Sequence, residues 1–131
     1  MEPFTSAFRV KESDIDTLNH VNNISYLKWV QEISVSHWFD ITTPEINNRY
    51  YWVILRHEID YYHPAFLDEE ITAVTWIGES EGVKSDRFVH FYCKDKLISR
   101  VKTTWCLMDK TTNRPTRIDS EILEILEPFK M

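Results

Sequence analysis

The spacing of hydrophobic and polar residues divides the chain into a helical part and a strand-rich part. A short strand is predicted from Ala7 to Glu12, and the polar composition from Ser13 to Asn22 predicts a loop. From Asn23 to Phe39, apolar residues recur near helical spacing and also occupy the rest of the circumference. This pattern predicts a helix about 25 Å long that is buried on most sides and ends before the Thr42-Thr43-Pro44 breaker.

Aromatic and β-branched residues dominate after Asn48, and turn-forming or charged residues divide them into strands. The links between these strands are too short for parallel crossovers, so antiparallel hairpins are expected. The segment from Asp109 to Pro115 is predicted to be a turn, and Ser120 is predicted to cap a short helix that ends before Pro128. The predicted strands are Tyr50 to Tyr62, Glu70 to Glu79, Lys84 to Lys94 and Lys96 to Met108.

The length of 131 residues fits a single domain over residues 1–131, large enough to bury a core without disulfides or metals. A total of 15 Lys and Arg against 21 Asp and Glu gives a net charge of −6, which disfavours a nucleic-acid binder. No window approaches the ~18 to 20 apolar residues that span a bilayer, and the start of the chain lacks a signal sequence. A cytoplasmic protein without a membrane partner is therefore expected, with Cys93 and Cys106 as buried free thiols.

Several kinds of chemistry are excluded by residue counts and spacing. The two glycines, Gly78 and Gly82, cannot supply a Walker loop or a dinucleotide fingerprint. No Ser stands in a Gly-x-Ser-x-Gly elbow, which excludes an α/β-hydrolase triad. Four histidines lack the spacing of metal ligands, so we assign no metal and no cofactor. These histidines are His37, His57, His63 and His90.

A cluster of polar residues stands directly before the predicted helix. Asp16 and His20 lie in the loop, and Asn22 and Asn23 stand at the helix start. Asn caps the unpaired N–H groups of a first helical turn, and those N–H groups together with the helix dipole attract an oxyanion. The segment therefore combines an acid, an imidazole and a helix N-terminus, and it is a candidate active site.

Two motifs in this segment carry a family resemblance. Asp14-Ile15-Asp16, with Tyr26 ten residues after the second acid, is similar to the Asp-x-Asp and Tyr pattern of hotdog-fold acyl thioesterases of the 4-hydroxybenzoyl-CoA thioesterase superfamily. The run from His20 to Glu32 resembles the His-Val-Asn-Asn-x-x-Tyr-x-x-Trp-x-x-Glu segment of acyl-acyl-carrier-protein thioesterases. Weaker similarity extends the resemblance over nearly the whole chain, at Arg56 to Tyr61, Pro64-Ala65 and Asp109 to Pro115.

The resemblance implies an α+β hotdog fold, in which a five-stranded antiparallel sheet wraps around the long helix and a short C-terminal helix follows. It also implies hydrolysis of acyl-CoA or acyl-carrier-protein thioesters, a reaction of lipid metabolism. Asp16 falls on the catalytic position and is expected to act as general base on water or as nucleophile, while the backbone N–H of Asn23 donates to the oxyanion. Plant-type enzymes carry an Asn two residues after the catalytic Asp, where this chain has Leu18, so Asn19 is the amide left to substitute.

Each neighbouring residue has two interpretations. His20 either holds substrate or orients Asp16, or it is hydrogen-bonded to the loop backbone. Asn22 is interpreted as a helix cap and a candidate substrate-binding residue. Tyr26, like Trp29 and Trp38, is assigned to core packing, with a place along an acyl tunnel as the alternative.

Two further carboxylates compete with the acid of the loop. Glu58 is a candidate substrate-binding residue, but its expected partner is Arg56. Glu32 is the other rival, because some hotdog enzymes place the catalytic acid on the helix. Both rank below Asp16 because neither shares its motif context.

An open sheet edge invites pairing with a second copy, so a homodimer is expected. The resemblance adds that hotdog sites lie between subunits and that dimers often associate into a homotetramer. The phosphates of CoA are expected to meet exposed basic residues of the strands, although these positions fit ordinary strand exteriors equally well. The residues concerned are Lys84, Arg87, Arg100 and Lys102.

Two other functions stay open beside thioester hydrolysis. A hotdog dehydratase or hydratase would add water to an enoyl thioester, but its His and acid would be expected on a different segment. A non-catalytic acyl-thioester-binding dimer would bind ligand without turnover and would be indifferent to Asp16→Asn. Aromatic residues make up 14% of the chain, which favours a medium, long or aromatic acyl group unless all of them belong to the core.

Overall fold

In the computed structural model, which describes residues 2–128, one long helix lies against a curled antiparallel sheet. Among the helices of this part of the chain, none combines the length and the apolar composition that a bilayer crossing needs. The elements in chain order are β1 (Phe4–Arg9), a 3-10 turn (Glu12–Asp14), α1 (Asn23–Ile41), α2 (Pro44–Arg49), β2 (Tyr50–Tyr61), β3 (Glu70–Glu81), β4 (Lys84–Cys93), β5 (Lys96–Asp109), β6 (Arg114–Pro115) and α3 (Ser120–Ile125).

The strands lie in the order β1-β3-β4-β5-β2, and every neighbouring pair is antiparallel. The two-residue strand β6 pairs with the end of β5. The predicted antiparallel sheet, long helix and C-terminal helix are confirmed, and the ends of α1 and of the four long strands differ from the predicted ends by two residues or fewer. Strand β1 begins and ends three residues earlier than predicted.

Helix α2 is absent from the predicted pattern, which treats Thr42-Thr43-Pro44 only as a breaker. Thr43 is the N-cap of this helix, and its Oγ1 accepts the Ile46 N–H at 3.4 Å. Pro44 occupies the first helical position, where a missing N–H costs nothing. The residues that end α1 therefore also begin the next helix.

The predicted N-cap of the last helix is wrong by one residue. Asp119, not Ser120, accepts the Ile122 N–H at its Oδ1, at 3.0 Å. Asp and Ser are nearly equivalent as caps, so residue type alone does not separate two adjacent candidates. The geometry of the chain arriving from β6 selects the first of them.

Two hydrophobic clusters hold α1 against the sheet. In the first half of the helix, the buried rings of Tyr26 and Trp29 pack on Phe91 of β4, with centroid distances of 5.6 and 5.9 Å. In the second half, Trp38 packs with Leu107 of β5 and with residues of α2 and α3. Tyr26, Trp29 and Trp38 are all buried, which confirms their assignment to the core.

Phe91→Ala is expected to lower the free energy of unfolding by about 3–5 kcal/mol, because Phe91 is fully buried and its removal leaves a cavity between Tyr26 and Trp29. Urea unfolding followed by circular dichroism measures this change. The matched control is Phe66→Ala, since Phe66 is exposed, and its cost should stay below about 1 kcal/mol. Equal losses in the two variants would contradict the assignment of Phe91 to the core.

Candidate functional site

Asp16 lies in a closed loop between the 3-10 turn and α1. Ile15 and Val21 form an antiparallel bridge at the base of this loop. The Asp16 N–H donates to the His20 carbonyl at 2.9 Å, and the Asn19 N–H donates to the Asp16 carbonyl at 3.1 Å. Asn19 has a φ of 64°, a left-handed conformation that Asn adopts more readily than most residues. These bonds hold the backbone of Asp16 in one conformation.

Two further backbone bonds fasten the loop to the rest of the fold. The Val21 N–H donates to the Ala65 carbonyl at 2.9 Å, in the segment after β2, and the Asn22 N–H donates to the Asp14 carbonyl at 2.8 Å. Asp14 is only 6% exposed, and its Oδ2 accepts the Lys11 N–H at 3.0 Å. Of the two acids in the Asp-x-Asp element, the first is therefore buried in the turn, and the second, Asp16, is half-buried in the loop.

The carboxylate of Asp16 uses one oxygen to hold the loop. Its Oδ1 accepts the backbone N–H groups of Leu18 at 2.9 Å and His20 at 3.3 Å. Within residues 2–128, no protein group donates a hydrogen bond to Oδ2. Since a carboxylate can accept at both oxygens, Oδ2 can accept from water or a ligand while Oδ1 keeps the side chain in place.

The start of α1 supplies partial positive charge beside this loop. Asn22 is the N-cap, and its Oδ1 accepts the Ser25 N–H at 2.8 Å. Asn23 is the first helical residue, and its N–H, like the others of the first turn, has no acceptor inside the helix. The dipole of a 19-residue helix adds about half a positive charge at this end. An anionic oxygen is therefore favoured here.

His20 contacts Asp16 through its backbone and not through its ring. The imidazole packs edge-on against Phe66, with a centroid distance of 5.4 Å. Neither ring nitrogen makes a hydrogen bond to another group in the described part of the chain. Leu18 and Asn19 are both exposed near the tip of the loop, so the structure does not bury the Asn19 amide beside the carboxylate.

Tyr26 lies in the first turn of α1 and is buried. Its ring makes edge contacts with Trp29, Tyr61 and Phe91, at centroid distances of 5.1, 5.3 and 5.6 Å. Burial, and then the neighbouring Tyr61, raise the pKa of Tyr26 to about 12. Its hydroxyl therefore keeps its proton at neutral pH.

The structure does not bring the rival carboxylates into contact with Asp16. Glu58 is exposed on β2 and pairs with Arg56 at 3.0 Å, which confirms the predicted partner. Its neighbour Ile59 packs on the core, so the Glu58 side chain points to the opposite, outer face of the sheet. Glu32 is exposed on α1 and lies 3.8 Å from Lys28.

The prediction that Arg87 is an exposed base is wrong. Alternation along β4 places Arg87 on the same face as Val89 and Phe91, toward the helix. Its Nη1 donates to His37 Nδ1 at 2.8 Å and to Thr75 Oγ1 at 3.1 Å. Arg87 shares a period of two with Val89 and Phe91 in the sequence, but the alternate positions Phe88 and Tyr92 are aromatic too, so the pattern does not decide which face is buried.

Burial sets the charge states of the two titratable groups in this cluster. It lowers the pKa of Arg87 to about 10, which leaves the guanidinium charged at neutral pH. Burial, reinforced by the charge of Arg87 and opposed by Asp40, lowers the pKa of His37 to about 4. His37 is therefore neutral and presents Nδ1 as an acceptor to Arg87.

The Asp16 loop and the helix start into which it leads provide two chemical functions. A half-buried carboxylate can accept a proton, and N–H groups at a helix start can stabilise an oxygen that gains negative charge. This pair of functions is what hydrolysis of an acyl bond requires. Across residues 2–128, no group of three or more His, Cys, Asp or Glu side chains is arranged to hold a metal ion.

The sequence profile of the thioesterase-like superfamily matches residues 10–126. Among curated proteins, the chain is similar to the chloroplastic acyl-[acyl-carrier-protein] hydrolase FATB3 of Cuphea viscosissima, with 21% identity over 96% of this chain and 33% of that protein. An uncharacterized Mycobacterium tuberculosis protein, Rv2001, is 23% identical over 92% of this chain and 47% of its own length. The chain thus spans between a third and a half of the length of these relatives.

Solved structures show the same fold at low sequence identity. The probable thioesterase YbaW from Escherichia coli superposes with a TM-score of 0.85 at 19% identity, covering 94% of this chain and 96% of that one. A putative oleoyl thioesterase from Lactobacillus plantarum superposes with a TM-score of 0.86 at 15% identity, covering 96% of this chain and 51% of that one. These likenesses concern the arrangement of the strands around the helix.

The fold is expected to lose stability between pH 6.5 and pH 4 because of His37. Its pKa is about 4 in the folded protein and 6.5 in the unfolded chain, so in this window the unfolded chain binds a proton that the folded protein does not. The contribution of neutral His37 to the free energy of unfolding is therefore fully present above pH 6.5, and it decreases by up to about 3 kcal/mol as the pH falls through 4. Urea unfolding at pH 7 and pH 4.5 should show a smaller decrease for His37→Gln than for the wild type.

The control for this measurement is His63→Gln, because His63 is exposed. That variant should follow the pH dependence of the wild type. Identical pH dependence in the wild type and in His37→Gln would show that His37 titrates normally in the folded protein.

Proposed function

The chain belongs to the thioesterase-like superfamily and has the hotdog fold, and on this basis we propose that it hydrolyses acyl thioesters of CoA or acyl carrier protein to a free acid and a thiol. The observation that carries this proposal is the position of Asp16. Its carboxylate is fixed by Oδ1, keeps Oδ2 unbonded within residues 2–128, and belongs to a loop that leads directly into the N-terminus of α1.

The proposed reaction uses Asp16 on one side of the thioester carbonyl and the helix start on the other. As general base, Asp16 takes a proton from water through Oδ2 while the water oxygen bonds to the carbonyl carbon. As nucleophile, Oδ2 itself bonds to that carbon, and water then hydrolyses the resulting anhydride. In both routes the carbonyl oxygen gains negative charge and the C–S bond breaks, releasing the thiolate, which takes up a proton.

The backbone N–H of Asn23 is the proposed donor to the developing oxyanion. It stands at the first helical position, where the helix dipole strengthens the interaction. Asn22 supports this role indirectly, because capping Ser25 keeps the first turn in helical geometry. Tyr26 is buried in the core, so its proposed part in substrate binding is to pack behind the acyl end of the site, and His20 is proposed to bind substrate beside Phe66.

The proposed substrate class follows from the relatives. The Cuphea protein is a hydrolase of acyl-acyl-carrier protein, and a structure similar to this chain, Slr0204 from Synechocystis, is a 1,4-dihydroxy-2-naphthoyl-CoA thioesterase. A screen of acyl-CoA and acyl-carrier-protein thioesters over chain length, with an aromatic acyl-CoA included, identifies the acyl group. Release of free thiol measures the rate.

Asp16→Asn is expected to reduce kcat on the best thioester by at least about 100-fold, because the amide cannot accept a proton or attack the carbonyl. The amide oxygen can still accept the N–H groups of Leu18 and His20, so the loop should keep its conformation. Steady-state kinetics on the folded variant measure the change.

The matched control is Asp95→Asn, an exposed acid in the turn between β4 and β5. It should keep the wild-type kcat. A folded Asp16→Asn variant with wild-type turnover would refute the catalytic assignment, and thioester binding without turnover by the wild type would favour the non-catalytic alternative.

We further propose that the protein is a homodimer, which can associate into a tetramer. Within residues 2–128, β2 pairs with β5 along one edge and has no strand on its other edge. Ile24, Val35 and Phe39 share one face of α1 and are 77%, 46% and 59% exposed, and Leu55 of β2 is also exposed. An open strand edge beside exposed apolar side chains is a surface that a second copy can cover.

The double variant Ile24→Glu/Leu55→Glu is expected to be monomeric, because burying two unpaired carboxylates in an interface is costly. Light scattering coupled to size-exclusion chromatography should give a multiple of the 15.7 kDa chain mass for the wild type and a single chain mass for the variant. Leu123→Glu is the control, because Leu123 is exposed on α3 and does not belong to the set of residues that defines this surface. A monomeric wild type would contradict the proposal.

A further inference from the structure

A cavity of about 350 Å³ lies beside the C-terminal half of α1, between that helix and strands β2 to β5. Ser34, on its wall, is about 18 Å beyond Asn22 along the helix at 1.5 Å per residue. The cavity is therefore separate from the Asp16 loop of the same protomer. Its size and its largely apolar walls are those of a small-molecule site. The aromatic walls are formed by Trp38, Tyr50, Trp52 and Trp105.

Arg87 brings a positive charge to this cavity without a carboxylate beside it. The residue is 6% exposed, and both of its hydrogen bonds, to His37 and Thr75, leave from Nη1. Both acceptors are neutral at pH 7. Among residues 2–128, no Asp or Glu lies within ion-pair distance of the guanidinium, and Nε and Nη2 donate to no protein group. A buried cation in this state is costly, since buried charges are normally paired.

Trp105 also lines the cavity and carries a second donor without an acceptor. Its Nε1 is buried and has no hydrogen-bond partner in the described part of the chain. Arg87 lies opposite Thr103 across the β4–β5 pair, so Trp105 is its diagonal neighbour, about 7–8 Å away and within reach of long side chains. Arg87 thus has N–H groups to which no protein group in residues 2–128 is an acceptor, and the Trp105 N–H beside it is buried without a partner, so an acceptor from outside the protein could serve both.

We propose that this cavity binds a free carboxylic acid, with the carboxylate on Arg87 and Trp105 Nε1 and the apolar body against the aromatic walls. A planar guanidinium pairs with a carboxylate through two parallel N–H···O bonds, and Nε and Nη2 are the pair of donors that remain for it. The bound carboxylate gives the buried cation its missing counter-charge. The apolar body replaces water along Trp38, Tyr50 and Trp52.

The chemistry of the walls selects a carboxylate over a phosphate or a neutral group. A phosphate carries more charge than the single guanidinium of Arg87 balances, and Lys110, the other cation that lines the cavity, already donates from Nζ to the Asn47 carbonyl. A neutral alcohol would leave the guanidinium without a counter-charge. The proposal does not depend on the hydrolytic role of Asp16, because it concerns a different end of α1.

Calorimetric titration of the full chain with octanoate, 1-octanol and octyl phosphate tests the proposal. One molecule of octanoate is expected to bind per chain and to raise the melting temperature of the protein. 1-Octanol should bind at least about 10-fold more weakly, since a hydrogen bond to a charged group contributes about 10-fold or more. Octyl phosphate should also bind at least about 10-fold more weakly, since its additional charge would be buried without a partner. Asp16→Asn should bind octanoate with wild-type affinity.

Arg87→Met keeps the length of the apolar stem and removes the charge, and it should weaken octanoate binding by about 10-fold or more. Arg100→Met is the matched control, because Arg100 is exposed on the outer face of β5, and it should bind octanoate like the wild type. Since Arg87 is buried, Trp105→Phe provides a second test that keeps an aromatic wall and removes only the N–H donor. Its affinity for octanoate should fall by about 5-fold or more.

Four results would overturn the proposal. The first is that octanoate does not bind the wild type, and the second is that 1-octanol binds as tightly as octanoate. The third is that octyl phosphate binds as tightly as octanoate or more tightly. The fourth is that Trp105→Phe and any folded Arg87→Met protein both bind octanoate with wild-type affinity. Loss of thioesterase activity in Asp16→Asn with unchanged octanoate binding would leave the two sites independent. Wild-type turnover in Asp16→Asn would refute the proposed function and would leave this cavity site standing.

Discussion

Helix α1 buries one face against the sheet and leaves the opposite face exposed, since its buried residues recur at helical spacing. The antiparallel strands curl over the buried face, as the right-handed twist of strands allows, and this packing is the constraint on which the other features depend. Tyr26, Trp29 and Phe91 interlock in the first half of the helix and prevent it from sliding or rotating. The ends of α1 are therefore fixed relative to the ends of the strands.

The chemistry of the Asp16 loop follows from that fixed helix end. The loop continues into the helix through Val21 and Asn22. The Val21 N–H also donates to the Ala65 carbonyl, which joins the loop to the segment after β2. The proposed catalytic groups therefore have their donors and acceptors in place before a substrate arrives, which is the main requirement for electrostatic stabilisation of a transition state. The two acids have different roles. Asp14 accepts the Lys11 N–H and holds the turn, whereas Asp16 holds the loop with Oδ1 and leaves Oδ2 to accept from water or a ligand.

The second half of α1 is packed differently. Thr75 and Arg87 lie on the inner face of the sheet between the two hydrophobic clusters, and His37 meets them from the helix. A core selected for stability alone would fill this position with apolar side chains, since an unpaired guanidinium in a low-dielectric interior is unfavourable. The polar group and the cavity beside it are consistent with a region shaped for a ligand, at a distance from the loop where the proposed hydrolysis takes place.

The sequence by itself determined the elements and the candidate loop. Helical and alternating periods identify α1 and the four long strands, because side-chain burial in each element repeats with the geometry of its backbone. The polar run before α1 predicts the helix start at Asn22 and Asn23, because caps have local signatures, and the family resemblance singles out Asp16 as the candidate acid within it. Only the tertiary structure decided three other features. They are the Asp16 oxygen that accepts the loop N–H groups, the contact of the His20 ring with Phe66, and the position of Glu58 on the outer face of the sheet. It also decided that Arg87 faces inward, since a single charged residue in an alternating strand has two possible faces until the rest of the sheet is in place.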